Sequence, residues 1–249
     1  MTIKITHIEQ TDSTNVYLQR LQAATDIRGC AVAACRQTAG RGMGDHIWES
    51  EAGQNLTFSV ALDMSFMRAA AQFQLSKAVS LGLLDALSGA ANEKHFTIKW
   101  PNDIYCEGHK IGGILINNTI NGSMMDVSII GIGLNVNQTT FKEWPTNPSS
   151  LHNLTGRKHQ LEPLLQSVCL HIEKQLERLK ELNKTNDFTS LDNDYLNNLL
   201  RYHTWGDYEV GGDVKNLFME GVDPFGRLQL RDALGETRTF DIKEVKFKW

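Results

Sequence analysis

KWPNDIYCEGHKIGGILI, residues 99 to 116, decides how this chain reads. Its β-prone runs flank Glu107-Gly108, a turn-forming pair, so the pattern predicts two antiparallel strands. Lys99, Asn102, Asp103 and Lys110 stand around this one strand-turn-strand unit, and Asp103 and Lys110 fall on facing strands within a few residues of opposition, so both can reach one ligand. Lysine is a compact positive charge, suited to joining two anions that must react. A hairpin with solvated polar residues, and Gly112-Gly113 for close backbone contact, reads the same way.

Further strands lie on either side. FTIKW precedes the hairpin, and SMMDVSIIGIGLNV follows it after Asn121-Gly122, another tight-turn signal. CAVAAC at 30 to 35 and NLTFSVAL at 55 to 62 are short apolar runs of strand length. Ahead of both, helical spacing appears over Val16, Leu18 and Leu21, with Asp12 and Ser13 as capping residues and an end near Ala24. Residues 67 to 91 read as a helix with a wide apolar face, from Phe73 to Leu87, despite Gly82. Residues 162 to 182 and 188 to 202 repeat the helical pattern. After Trp205 short strands are broken at Gly211-Gly212, Asp223 to Gly226 and Leu234-Gly235, at the spacing of a small β-barrel. The expected fold is α+β: a mixed or antiparallel sheet flanked by helices over 1–203, and a small C-terminal SH3-like barrel over 204–249.

Composition bounds the function. The 249 residues carry 25 basic and 29 acidic side chains, a net charge of −4, so no broad electrostatic footprint for nucleic acid is present. The first residues lack a secretory pattern and no apolar stretch reaches membrane-spanning length, which makes a cytoplasmic protein the expectation. Four cysteines, Cys30, Cys35, Cys106 and Cys169, show no metal-ligand spacing and read as reduced thiols. No metal site is expected.

A second motif is RQTAGRGMGDHIWESEAGQNLTF, where Gly40, Gly42 and Gly44 surround Arg41. Glycine lets backbone amides approach an anion, and a guanidinium forks onto carboxylate or phosphate oxygens, so an acyl-phosphate cradle is one reading. A glycine-rich surface turn is the other. The segment has neither the P-loop ending nor the Rossmann context. In a third stretch, IIGIGLNVNQ, Asn135 stands at the end of a buried strand, either as a ligand contact or as a strand terminus.

With these stretches in hand, the sequence resembles the biotin–protein ligase family over most of residues 5 to 140. TDSTN at 11 to 15 resembles the family's biotin-pocket segment, and QTAGRG at 37 to 42 its adenylate loop. KWPND at 99 to 103 and KIGGIL at 110 to 115 resemble its central signature, and GIGLNVN at 131 to 137 its nucleotide-side strand. The tail from Gly221 to Phe240 resembles its C-terminal barrel more loosely.

The resemblance implies that biotin is activated by ATP to biotinyl-5′-AMP and passed to a lysine of a biotin carboxyl carrier protein. It implies a biotin site of Ser13, Thr14, Asn15, Gln37, Arg41, Gly42, Met43 and Lys110, with Arg41 and Lys110 as the catalytic cations. Gly40, Trp48, Asn102, Asp103, Gly112, Gly113 and Asn135 would form the nucleotide side, with Mg²⁺ held mainly by ATP. Ser13 and Thr14 also suit helix capping, and Trp48 also suits a core. Residues 40 to 45 depart from the family pattern, because Met43 replaces a second arginine. The chain is expected to act as a monomer or weak homodimer, without DNA or membrane. The rival functions are a lipoate or octanoate ligase of the same fold, and a non-catalytic biotin-responsive regulator.

Overall fold

The computed structural model describes residues 2–44, 46–142 and 147–249. A seven-stranded sheet forms the larger part, in the order β1-β2-β3-β7-β6-β5-β4. Its strands are β1 (Lys4–Thr11), β2 (Cys30–Gln37), β3 (Leu56–Asp63), β4 (Phe96–Lys99), β5 (Asp103–Cys106), β6 (His109–Asn121) and β7 (Met124–Leu134). The β1–β2 pair is parallel and the remaining pairs are antiparallel, so the sheet is mixed. The turn after Asn121 places Gly122 at φ +60°, a backbone that glycine adopts without steric cost.

Helices cover both faces. α2 (Phe73–Ala90) and α4 (Leu161–Thr185) bury Leu75, Val79, Leu83, Leu87, Val168, Ile172, Leu176 and Leu179 together with Phe58, Val60, Leu62, Ile130 and Ile132 of the sheet. Gly82 sits at their crossing, where a Cβ would lie 3.0 Å from the His171 carbonyl oxygen; glycine there brings the two backbones together. The helix expected from residue 67 begins only at Phe73, after a 3-10 turn over Ala69–Ala71. α5 (Thr189–Asn197) stops short of the expected 202, and α3 (Leu151–Thr155) is an unforeseen short helix.

Among the described residues the one helix on the opposite face is α1 (Thr14–Gln22), whose Leu18 joins Ile27, Val32, Ala61, Val127 and Ile129 in a small second core. Burying such an aliphatic side chain is worth about 1.5–3 kcal/mol. α1 covers the β2–β3–β7 end, and the β6–β5–β4 end of that face is left to loops and to the C-terminal strands. Strand β4 is covered at its outer edge by the chain at 198–200, through Ile98 N–H to Asn198 O and Leu200 N–H to Ile98 O, both 2.8 Å.

The C-terminal strands are β8 (Trp205–Val210), β9 (Asp213–Val222), β10 (Leu228–Arg231), β11 (Thr237–Phe240) and β12 (Val245–Phe247). They form an antiparallel sheet in the order β11-β10-β9-β8-β12. The expected barrel is corrected here: among the described residues β11 and β12 do not pair, so the sheet curls without closing. It is anchored to the larger sheet by Trp100 Nε1–H to Gly226 O at 2.8 Å, and by Trp249 stacked on Tyr105 at 5.6 Å between ring centroids.

Candidate active site

The site lies on the α1 face of the large sheet. Side chains alternate along strands, so Ser59 of β3, Gly131 and Gly133 of β7, and Gly113 and Asn117 of β6 share this face with α1. Gly113 pairs with Gly133 and Leu115 with Gly131. The missing side chains leave a trough in the sheet, roughly 7 Å long between Gly131 and Gly133 by the strand rise. Two side chains lie directly on it. A Cβ at Gly131 would stand 2.9 Å from Asn15 Cγ, and one at Gly133 would stand 2.6 Å from Trp48 Nε1.

At one end is a buried polar network. Gln37 Oε1 accepts from Thr14 N–H at 2.7 Å and lies 3.1 Å from Thr14 Oγ1. Ser59 Oγ lies 2.7 Å from Thr14 Oγ1 and donates to Asn15 Oδ1 at 2.5 Å, while Asn15 Nδ2–H donates to Asn117 Oδ1 at 3.0 Å. Ser13, Thr14, Asn15 and Ser59 are all buried. Such groups are costly to bury unpaired, so they form a rigid lattice facing the trough. Ser13 occupies the N-cap of α1 but makes no side-chain cap bond; Asp12 accepts from the Ser13 N–H at 2.8 Å instead. That bond and Arg20 hold the Asp12 carboxyl down at about 2. Sequence reasoning missed Ser59, whose one signal was a polar residue at a buried position of an apolar strand, and Asn117, an exposed residue of β6 with no such signal.

At the other end stands an ion pair. Strand β6 carries a bulge: Ile104 pairs with Gly112 and Tyr105 with Lys110, leaving Ile111 unpaired. The extra residue turns Lys110 onto the Gly113 face, where an unbroken strand would point it away. Lys110 Nζ therefore meets Asp103 Oδ1 at 2.6 Å and lies 5.9 Å from the centre of the Trp48 ring.

The loop between β2 and β3 folds over the trough as a short hairpin, with Gly42 N–H to His46 O at 2.7 Å and Trp48 N–H to Gly40 O at 3.0 Å. A Cβ at Gly40 would collide with the Trp48 carbonyl, so this turn needs glycine there. Gly44 takes φ +64°; Asp45, next to it, lies outside the described residues. Arg41 is exposed and forms no ion pair among the described residues, and neither it nor Met43 is brought against Lys110. Trp48 Nε1 is buried without a hydrogen-bond partner.

The remaining expected residues divide. Asn102 spends its side-chain amide on the Ile114 carbonyl, clamping the β4–β5 turn to β6. Gly112 faces the α2 side, where a Cβ would be 3.3 Å from Leu134 Cδ1. Asn135 ends β7, donating to Ser149 O at 3.0 Å, with its own Oδ1 buried and unpaired. A buried acceptor without a donor is a demand for one.

Residues 7–135 match the Biotin/lipoate A/B protein ligase family. The chain belongs to that family. It is 30% identical over 239 residues to the biotin–[acetyl-CoA-carboxylase] ligase of Paracoccus denitrificans, covering 92% of this chain and 94% of the relative. A bifunctional ligase/repressor of Bacillus spizizenii is 32% identical over 153 residues, 59% of this chain and 46% of the relative. Among solved structures, the biotin protein ligase of Aquifex aeolicus in complex with biotin and ATP superposes with a TM-score of 0.79 at 25% identity, covering 98% of both chains. Membership in this ligase family accounts for the α+β fold of the chain. Among the described residues no helix is long and apolar enough to cross a membrane.

Proposed function

We propose that this protein activates biotin with ATP to biotinyl-5′-AMP and transfers the biotinyl group to a lysine of a biotin carboxyl carrier protein. The observation that carries the reading is the glycine-floored trough, closed at one end by a hydrogen-bonding lattice and at the other by Lys110. Biotin has the complementary form: a ureido head that needs donors and acceptors, an apolar chain, and a carboxylate. Its head fits the Ser13, Thr14, Asn15 and Gln37 end, its carboxylate the Lys110 end, and its chain runs alongside the Asn15 and Trp48 side chains that cover Gly131 and Gly133.

In the first half-reaction a carboxylate oxygen bonds to the α-phosphorus as the bond from that phosphorus to the β-bridging oxygen breaks. Both reactants are anionic, so charge neutralisation and positioning dominate the barrier. Lys110, oriented by Asp103, stands where carboxylate and α-phosphate meet. Arg41, on the exposed Gly40–Gly42 hairpin, closes over the same oxygens with the Gly42 and Met43 backbone when ligand enters. The unpaired Asn135 Oδ1 is the acceptor for an adenine amino group, and Trp48 and Gly113 bound the same nucleotide. Among the described residues no group of three or more His, Cys, Asp or Glu could hold a metal, and Asp103 is engaged by Lys110. Mg²⁺, held mainly by the nucleotide, would add charge neutralisation at the same phosphates.

In the second half a carrier lysine attacks the mixed anhydride and AMP leaves, without a nucleophilic side chain of this protein. The protein works in the cytoplasm as a monomer or weak homodimer. Supplying radiolabelled biotin or lipoate with ATP and a carrier domain tests the reading: label from biotin must reach the carrier lysine with release of pyrophosphate. Transfer of lipoate in its place, or biotin binding without pyrophosphate release, refutes it.

A further inference from the structure

Lys99 is a second cation on the site face. It closes the β4–β5 hairpin opposite Asp103, while Lys110 lies opposite Tyr105 two residues further along β5. The three strands therefore present Lys110, Asp103 and Lys99 in order across the sheet, away from the trough. Adjacent strands are about 4.8 Å apart, which puts β4 roughly 10 Å beyond β6.

The Lys99 ammonium is half-buried and sits against two rings, 5.5 Å from the centre of Tyr105 and 5.2 Å from that of Phe247. Among the described residues it has no carboxylate within ion-pair distance, since Asp103 is bonded to Lys110. Arg201 lies behind it, fixed in the C-terminal sheet by hydrogen bonds to the carbonyls of Asp207 and Lys248 and packed on Tyr208, Phe247 and Trp249. Burial depresses the Lys99 pKa; Asp103 opposes that shift, and Lys110 and Arg201 add to it. Three cations thus face one carboxylate. A desolvated ammonium without a counterion is costly to hold, and aromatic faces repay only part of it.

We propose that Lys99, in the field of Arg201, forms the subsite for the β- and γ-phosphates of ATP and for the pyrophosphate that leaves. The proposal rests on the ATP-dependent reading of the trough. Phosphoryl transfer places attacking and leaving oxygens in line. With the carboxylate arriving along β7 and the α-phosphate at Lys110, the leaving oxygen points across β5 toward β4. As the bond between α-phosphorus and bridging oxygen breaks, its electron pair departs on pyrophosphate, and Lys99 neutralises that developing charge. Arg201 is tethered by one hydrogen bond from each terminal nitrogen, to the Asp207 and Lys248 carbonyls, and acts at a distance, whereas the Lys99 ammonium turns toward the phosphates. A cation serving only as aromatic glue between the two sheets would explain the ring contacts but not the surplus of positive charge.

Lys99→Met keeps the stem against Tyr105 and Phe247 and removes the charge; Lys99→Gln is a second variant should the first fold poorly. Inorganic pyrophosphate and AMP are titrated separately into wild type and variant by calorimetry. The expected result is pyrophosphate binding weakened about 10-fold or more, the scale of one charged hydrogen bond. AMP binding should hold within about twofold, and Lys99→Arg should restore most of the pyrophosphate affinity. In turnover, KM for ATP rises in adenylate formation, while transfer from supplied biotinyl-5′-AMP keeps its rate. Equal weakening of AMP and pyrophosphate, or unchanged pyrophosphate affinity, overturns the proposal. If wild type releases no pyrophosphate with biotin and ATP, yet its pyrophosphate affinity depends on Lys99, the biotin reading fails and the polyphosphate subsite stands.

Discussion

Lys110 and Asp103 meet at 2.6 Å because one residue between them and the glycines, Ile111, has no partner on β5. The side chain proposed to join the two reacting anions is thus aimed by an irregularity of the backbone and held by Asp103. Lys110→Ala should lower biotin-dependent pyrophosphate release by ~100-fold or more, the scale of losing one transition-state stabiliser. Asp103→Asn should cost less, because the lysine keeps its charge and loses only its guide. Stopped-flow measurement of adenylate formation separates the two; near-wild-type release in Lys110→Ala would remove this lysine from the mechanism.

The Trp48 ring rests on the Gly133 backbone. Gly133→Ala therefore has to displace the indole, and biotin affinity should fall by about 10-fold or more, as a displaced packing contact and a shortened trough add together. Calorimetric titration of biotin reads this directly. Trp48→Ala in the same background should relieve part of the loss; strict additivity of the two changes would argue against the contact.

Ser59 carries no ligand role of its own, yet it binds both Thr14 and Asn15. Ser59→Ala leaves the Asn15 Oδ1 acceptor without its 2.5 Å partner in a buried layer. The expected cost is about 1–3 kcal/mol of stability, or roughly 2–12 °C in Tm. A thermal melt with unchanged midpoint would show that the lattice is dispensable.

Burial raises the thiols of Cys106 and Cys169, to about 11 and about 12, whereas Cys35 is exposed. Both shifted values exceed the ordinary 9.0, so the neutral thiols favour the folded state. Their contribution is intact below about pH 9 and is lost as pH climbs toward the folded values. Iodoacetamide at pH 8 should label Cys35 well before Cys106 or Cys169 by mass spectrometry. Cys169→Ala should flatten the alkaline limb of the stability profile, and labelling of Cys169 in the native protein would contradict its burial.

Periodicity and turn residues carried most of the fold. The Asn121-Gly122 hairpin, the apolar face of α2 and the Leu165-to-Leu179 stripe of α4 all stand where their spacing puts them. The open edge of the C-terminal sheet was not legible, because closure depends on how far β11 and β12 end from each other, and spacing between turns does not fix that. Helix starts were also blurred: Met67 continues the apolar pattern, but it is buried in the connection before α2. At the site, Asp103 and Lys110 could be paired from the hairpin alone. Asn102 looked like their equal, and its amide instead grips the Ile114 carbonyl. Side chain to backbone bonds of that kind leave no pattern in sequence. Ser59 was hidden for a related reason, since it matters through the separated segments that bring Thr14 and Asn15 to it.

A recess floored by Gly113, Gly131 and Gly133 is shaped by hydrogens standing where methyls would otherwise be. Substitution at those positions can only fill the space; none can enlarge it. On the proposed function, variation there shortens the acceptable acyl chain or abolishes binding, and does not admit a bulkier acid. Any drift of this scaffold toward larger substrates must therefore come from the lid, through Trp48 and its hairpin, and the floor sets the direction in which specificity can evolve.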